Sequence, residues 1–276
     1  MPEVGRPSKI ERLKEYAKCV QSPSYYGEKY CQVFDLTNGG MIPFKLFLRQ
    51  KEFINNCVNY RFNIVLKPRQ AGVSTAAALF AATYGMFEDK RKVLIIANKQ
   101  DTAHEFLKKV KEFVYYVPEW MGITISRITQ GLIELNNGSI IKAVATSEDA
   151  LRGFTPTLLI LDEAAYIRGG SEVWQASLPS LSTGGRAILL STPFGLDELY
   201  YAIYDAAKNN KNNFHITEFK WYEDPRYNKQ LKWIKGDIVV DTWLNRVVND
   251  VDFIEFEKLI QLGFTPTSPW FDDMCR

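Results

Sequence analysis

The chain has 276 residues, of which 46% are hydrophobic and 24% charged, as expected for an ordinary globular protein with one large domain and a smaller appendage. Its net charge of +2 indicates no overall attraction to nucleic acid. The four cysteines lack metal-site spacing and only two histidines are present, which argues against a structural zinc or disulfide framework and favours a reducing compartment. No apolar run is long enough to predict a transmembrane helix.

The chain begins with a charged segment for which Ser8 and Glu11 predict a capped helix that runs to about Cys19. Asn38, Gly39 and Gly40 then separate this arm, residues 1–42, from the remainder. Residues 43–220 alternate between helical and apolar strand patterns, which predicts an α/β core with a mostly parallel sheet. The expected helices are 46–58, 74–86, 102–116 and one that carries Trp174. The expected strands are 63–66, 92–97, 132–145 with a turn at 136–138, 157–161 and 187–190.

Residues 221–276 show weaker, aromatic and charged helical patterns. We expect them to form a small, mainly helical lid subdomain together with the N-terminal arm. Their aromatic residues can either pack this subdomain or stack on DNA bases: Trp221, Tyr222, Trp233 and Trp243. We favour packing.

A polar loop follows the first strand of the core. Its residues are Lys67, Pro68, Arg69, Gln70, Ala71, Gly72, Val73, Ser74 and Thr75. A loop between a strand and a helix N-terminus can bind phosphate, because its backbone N–H groups point at the anion. The standard pattern GxxxxGK[ST] is broken twice, since Lys67 replaces the first glycine and Val73 replaces the lysine. Taken alone, the loop is a weak signal for a phosphate site, and an ordinary strand-to-helix turn is the more common explanation of such a sequence.

Two further strands end in polar residues. The strand 158–162 ends in Asp162 followed by Glu163, which predicts a magnesium-binding acid and an acid that orients and activates the attacking water. Solvated acids at a strand end are the alternative, and the upstream loop argues against it. The strand 187–190 runs into Ser191, Thr192 and Pro193, whose hydroxyls can sense a terminal phosphate or simply form a turn.

The order of these motifs resembles the large terminase ATPases of tailed phages, especially the T4-like group. The resemblance covers residues 43–221 and includes Gln50, the loop RQAG at 69–72, LLILDEAAYI at 158–167 and LLSTPFG at 189–195. The turn at 135–139 and the segment 149–153 also match. The resemblance implies a RecA-like (ASCE) P-loop NTPase fold that binds ATP and Mg²⁺.

The resemblance also assigns roles to individual residues. It implies that Gln50 reads adenine, that Arg69 contacts phosphates within its own subunit, and that Arg152 reaches the ATP of a neighbouring subunit. Nucleotide contacts are expected along 67–75, magnesium contacts at Ser74 and Asp162, and coupling of hydrolysis to movement at 191–193. For Gln50 and Arg152, a solvated helix glutamine and a surface salt-bridging arginine remain the alternatives.

Two departures from the family qualify this interpretation. Most members keep the loop lysine that is Val73 here, although some carry a lysine at the loop start, which Lys67 matches. Members normally continue into an RNase H-like nuclease, and we expect ATPase without nuclease activity in these 276 residues.

The resemblance implies a motor that drives double-stranded DNA into a procapsid. Its expected partners are the portal protein, the small terminase subunit and further copies in a ring, taken as a pentamer, with no membrane. Its expected location is the host cytoplasm and, transiently, the procapsid portal. Two other functions remain open, a helicase-like nucleic-acid ATPase and a non-hydrolysing nucleotide-binding assembly module.

Overall fold

A computed structural model describes residues 8–35, 39–146, 153–242 and 250–274. The helices in these ranges are α1 Lys9–Gln21, α2 Pro23–Tyr30, α3 Leu48–Asn59, α4 Val73–Phe87, α5 Gln100–Tyr115, α6 Gly170–Ser182, α7 Tyr200–Lys208, α8 Asp250–Gln261 and α9 Pro269–Met274. The strands are β1 Gln32–Asp35, β2 Gly40–Pro43, β3 Phe62–Leu66, β4 Lys92–Ala97, β5 Ile125–Ile128, β6 Leu132–Leu135, β7 Ile140–Ala145, β8 Leu158–Asp162, β9 Arg186–Ser191, β10 His215–Glu218, β11 Lys232–Lys235, β12 Ile238–Asp241 and β13 Thr265–Thr267. Among these residues, no helix combines the length and the apolar character needed to cross a membrane.

The centre of the molecule is an eight-stranded sheet with the order β10-β3-β9-β8-β4-β7-β6-β5. The strands from β10 to β7 are parallel, and β6 and β5 continue the sheet antiparallel. The middle of each central strand is apolar and buried, as is usual for parallel sheets that are covered on both faces. This sheet agrees with the α/β fold expected from the sequence.

The helix α4 forms the centre of the packing on one face of the sheet. Most of its residues are buried, including the run Ala76–Met86, and it packs against both α3 and α5. A helix that is apolar on all sides is typical of a buried position. Its first residue follows the polar loop directly, so the core holds the loop in place.

The N-terminal helices lie on this same core. The predicted capping box is confirmed, since Ser8 and Glu11 cap each other's backbone N–H groups at the start of α1. Helix α2 packs against α4, and Cys19, Tyr26 and Cys31 belong to the main hydrophobic cluster. The arm therefore contacts the core, and its assignment to the lid stays a proposal.

The C-terminal segment has a separate small cluster formed by Tyr222, Leu231, Trp233 and Phe256. Trp233 is completely buried, in agreement with the packing role, and Trp243 lies outside the described residues. Besides α8 and α9, this segment contains the antiparallel sheet β12-β11-β13, which the helical pattern did not anticipate. Alternating strands this short give a weak sequence signal, because packing against the aromatic cluster decides their conformation. The division into core and lid stays a proposal.

Candidate nucleotide site

A pocket of about 570 Å³ lies at the carboxyl ends of the parallel strands. It is lined by the whole loop from Lys67 to Thr75 and by Asn98, Lys109, Glu163, Tyr166 and Thr192. Ligands of open α/β sheets collect at this edge, because several strand ends and helix N-termini meet there.

The loop approaches the first turn of α4 through two left-handed residues. Gln70 has φ 61° and Gly72, which caps the helix, has φ 70°. A side chain at Gly72 would also meet the Nε2 atom of Gln50 at 2.6 Å. Both features favour glycine at this position, and the resulting turn presents the backbone N–H groups of α4 to the pocket.

The two predicted acids take up different environments. Asp162 is buried, and its Oδ1 accepts a hydrogen bond of 3.1 Å from the Ser74 hydroxyl. Burial raises the pKa of Asp162, while the positive charge of Lys67 opposes that shift. Glu163 is more exposed and adopts a left-handed conformation with φ 53°, which points its carboxylate into the pocket.

Lys67 joins the loop to the second acid. Its Nζ lies 2.6 Å from Oε1 of Glu163, and only 7% of its side chain is exposed. Its backbone N–H donates to the Ser191 carbonyl at 3.0 Å, which ties the loop start to β9. The lysine that replaces the first glycine thus points into the pocket.

The other oxygen of Glu163 is held by the strand end of β9. Both the backbone N–H and the hydroxyl of Thr192 lie 3.3 Å from Oε2 of Glu163. The Thr192 hydroxyl also contacts the Tyr166 hydroxyl at 3.2 Å. Ser191 is buried behind this contact, where its hydroxyl accepts from the Ala165 backbone N–H, and the Pro193 carbonyl accepts from Tyr166. The predicted coupling residues, Ser191 to Pro193, and the predicted water-activating acid, Glu163, therefore belong to one hydrogen-bonded group.

Gln50, the predicted adenine-reading residue, lies away from this group. Gln50 is buried, its Oε1 accepts from the Phe47 backbone N–H at 3.0 Å, and its Nε2 donates to the Ala71 carbonyl at 2.9 Å. Gln50 therefore supports the loop in this structure instead of lining the main pocket. Arg69 lines the pocket and is exposed. Arg152 lies outside the described residues.

The sequence analysis missed several lining residues. Asn98 follows β4, so the polar-strand-end signal that identified the acids could have found it. Tyr166 follows the acids within the same segment. Lys109 lies inside the amphipathic helix α5, where its charge gives no separate signal. Arg226, from the C-terminal segment, donates to the Gln70 carbonyl at 2.8 Å, a contact that no local pattern predicts.

Comparison with known proteins relates this chain to a family. Residues 64–262 match the family model of the terminase large subunit, T4-like virus type, N-terminal part. The Thermus phage P74-26 large terminase ATPase domain has a similar fold, with a TM-score of 0.53 and 23% identity over 65% of this chain and 83% of that one.

Longer relatives share the fold over part of their length. The HK97 bacteriophage large terminase gives a TM-score of 0.59 at 17% identity, covering 88% of this chain and 51% of that one. The large terminase of a thermophilic bacteriophage, in complex with ADP, gives 0.52 at 13% identity, covering 64% and 46%. The present chain thus spans about half of these two terminases. The family match covers well over half of its residues, and this chain belongs to the terminase large subunit family, T4-like type, within the ATPase region.

Proposed function

We propose that this chain is the Mg²⁺-dependent ATPase motor of a viral large terminase that moves double-stranded DNA into a procapsid. The observation that carries the proposal is the convergence of Lys67, Asp162, Glu163 and Ser74 at one sheet edge, beside a loop that opens a helix. These are the parts that phosphoryl transfer needs: a phosphate cradle, a metal-binding pair and an acid for water.

The loop provides the phosphate site. The N–H groups at the start of α4 and the helix dipole favour the negatively charged phosphates, and Lys67 and Arg69 add positive charge. The nucleotide contacts are assigned to residues 67–75, as the sequence predicts. The large terminase of a thermophilic bacteriophage, which shares this fold, has been solved in complex with ADP, and this supports nucleotide binding by the present chain.

The magnesium site is assigned to Ser74 and Asp162. A hydroxyl and a buried carboxylate 3.1 Å apart, next to the phosphate loop, suit a cation that takes few protein ligands and completes its shell with water and phosphates. When bound, Mg²⁺ supplies charge neutralisation of the phosphate oxygens.

Glu163 is assigned as the residue that orients the attacking water and accepts its proton. Its two oxygens are fixed from opposite sides by Lys67 and Thr192, which positions the carboxylate before reaction. The same Thr192 contact extends through Tyr166 to Pro193, so a change at Glu163 can reach the exposed Phe194. We assign Ser191 to Pro193 as the coupling segment on this basis.

The remaining contacts follow from family membership. Gln50 is assigned to adenine recognition, which requires its amide to exchange the Phe47 or Ala71 contact for the base. Arg152 is assigned to the ATP of a neighbouring subunit in a ring on the portal, where an added cation stabilises the transition state. Double-stranded DNA, the portal protein and the small terminase subunit are the proposed partners.

ATP hydrolysis by wild type, Glu163→Ala and Lys67→Ala at several protein concentrations tests the proposal. We expect Mg²⁺-dependent turnover in wild type and a loss of about 100-fold or more in Glu163→Ala, because the general base is removed. Lys67→Ala should lose turnover as well, and turnover per chain should rise with concentration if Arg152 acts between subunits. Wild type that binds ATP without turnover, even when concentrated, would point to the non-hydrolysing module. Unwinding of a forked duplex would point to the helicase-like ATPase.

A further inference from the structure

The loop position that usually carries a lysine supplies no charge to the pocket in this chain. Val73 is the first residue of α4 and only 1% exposed, and it belongs to the main hydrophobic cluster. The start of α4 therefore lacks the side-chain cation that the standard loop pattern provides, and the cations of the loop, Lys67 and Arg69, precede it.

Lys109 reaches the same pocket from a different element. It lies on α5, which packs against α4, and it lines the pocket together with Glu163 and Thr192. Its side chain is half-buried, and its positive charge contributes to lowering the pKa of Asp162, against the larger effect of burial. Lys109 therefore lies at the acidic end of the pocket and not at the Gln50 end.

The cations of the pocket differ in what they already bind. Lys67 forms an ion pair with Glu163, whereas Lys109 has no ion pair in the part of the chain that the structure describes. A half-buried ammonium group has lost part of its hydration, and a phosphate within reach would supply both the opposite charge and hydrogen-bond acceptors in place of the lost water.

We propose that Lys109 binds the terminal phosphate of ATP and replaces the cation that Val73 does not supply. This inference rests on the proposed ATPase function and names a further residue of the same site. Because Lys109 lies on α5, this contact connects the terminal phosphate to the helix that follows β4.

Isothermal titration of ATP and ADP, each with Mg²⁺, tests the proposal on wild type, Lys109→Met and Lys109→Arg. Lys109→Met keeps the aliphatic stem and removes only the charge. We expect ATP affinity to fall by about tenfold or more in Lys109→Met, the usual effect of losing a charge-assisted hydrogen bond. ADP affinity should change by less than about threefold, and Lys109→Arg should retain most ATP affinity.

Lys108→Met is the matched control, since Lys108 is exposed on the same helix and lines a different groove. It should bind ATP like wild type. Thermal unfolding without nucleotide checks that each variant folds, and Lys109→Gln replaces any Met variant that does not. ATP affinity within about twofold of wild type, or equal losses for ATP and ADP, would overturn the role of Lys109. Because the readout is affinity, a wild type that binds ATP without hydrolysing it would refute the ATPase proposal and leave this test intact.

Discussion

The two ends of the nucleotide site are constructed in different ways. At the phosphate end, Lys67, Asp162 and Thr192 stand directly at the ends of hydrogen-bonded parallel strands. At the opposite end, beside Gln50, two arginines connect α3 and the outgoing loop to the C-terminal segment: Arg49 pairs with Glu223, and Arg226 donates to the Gln70 carbonyl. The first end is positioned by the sheet, the second by a few long side chains.

This difference suits the two tasks of a motor. Chemistry requires groups held within a fraction of an ångström, which strand ends provide. Movement requires contacts that can break and re-form at a cost of a few kcal/mol, which ion pairs between segments provide. We therefore expect changes at the second end to alter stability and ATP affinity without altering turnover at saturating ATP, whereas loss of Glu163 at the first end removes turnover itself.

The largest stability effect is expected for Arg49→Ala. Glu223 is buried, and burial raises its pKa although the guanidinium of Arg49 opposes this with hydrogen bonds of 2.6 and 3.0 Å. Removing the arginine leaves a buried carboxylate without its main partner, so the free energy of unfolding should fall by about 3 kcal/mol. Urea unfolding at neutral pH measures the change.

Two companion variants sharpen this result. Glu52→Ala removes the exposed partner of the same arginine, and it should change the free energy of unfolding by about 0.5 kcal/mol or less. Arg49→Met combined with Glu223→Leu removes both charges and should recover most of the loss. An Arg49→Ala variant as stable as wild type would mean that the ion pair does not hold the C-terminal segment.

The same contrast explains how much could be predicted from the sequence. The strands β3, β4, β8 and β9 are long apolar runs with polar ends, so both the sheet and Asp162, Glu163 and Thr192 followed from local pattern. Lys109 and Arg226 reach the site from a helix face and a distant segment, and such contacts depend on tertiary packing. The short strands β11 to β13 were missed because each has only three or four residues, and the pairing of β11 with β13 joins positions about thirty residues apart in the sequence.

Gly72→Ala should have the next largest effect. Alanine in the left-handed region costs about 1–2 kcal/mol, and its Cβ would meet Gln50 Nε2 at 2.6 Å. We therefore expect about tenfold weaker ATP binding, because the loop must shift away from its phosphate-binding shape. Equilibrium titration measures this affinity.

Gly122→Ala is the control for backbone strain outside the loop. Gly122 has φ 71°, and a methyl group added there would meet no other atom within 4 Å. It lies far from the loop in sequence, so the variant should lose stability to a similar backbone strain and keep wild-type ATP affinity. Equal affinity losses in both variants would show that the loss in Gly72→Ala is a general effect of strain on the fold and not an effect on the shape of the loop.

Arg226→Ala should weaken ATP binding by a smaller factor. Its Nη2 holds the Gln70 carbonyl at 2.8 Å, but almost half of the side chain is exposed and Asp224 shares its charge. Water can replace part of this contact, so we expect a loss of about three- to fivefold in affinity, with turnover at saturating ATP unchanged. A saturation curve for hydrolysis distinguishes the two parameters, and Lys229→Ala, an exposed neighbour, is the control.

The smallest expected effect is a rise in stability for Asp162→Asn, measured without metal. The pKa of Asp162 is higher in the folded protein than in the unfolded chain. At a pH between these two pKa values, the folded state therefore binds more protons than the unfolded state. The ionised carboxylate therefore destabilises the fold, and this effect is complete once the pH exceeds the pKa that Asp162 has in the folded protein. Asparagine does not ionise. The melting temperature of Asp162→Asn should therefore exceed that of wild type, by a difference that grows as the pH rises from about 3.8 toward neutrality.

Thermal melts in EDTA from acid to neutral pH test this sign, with the exposed Asp237→Asn as the control. Asparagine can still accept the hydrogen bond from Ser74, so packing changes little. A variant that is less stable than wild type at neutral pH would mean that Lys67 stabilises the ionised Asp162 more than burial destabilises it. The expected result would instead show that the phosphate end keeps a destabilising buried acid, which is reasonable only where a cation is to be bound.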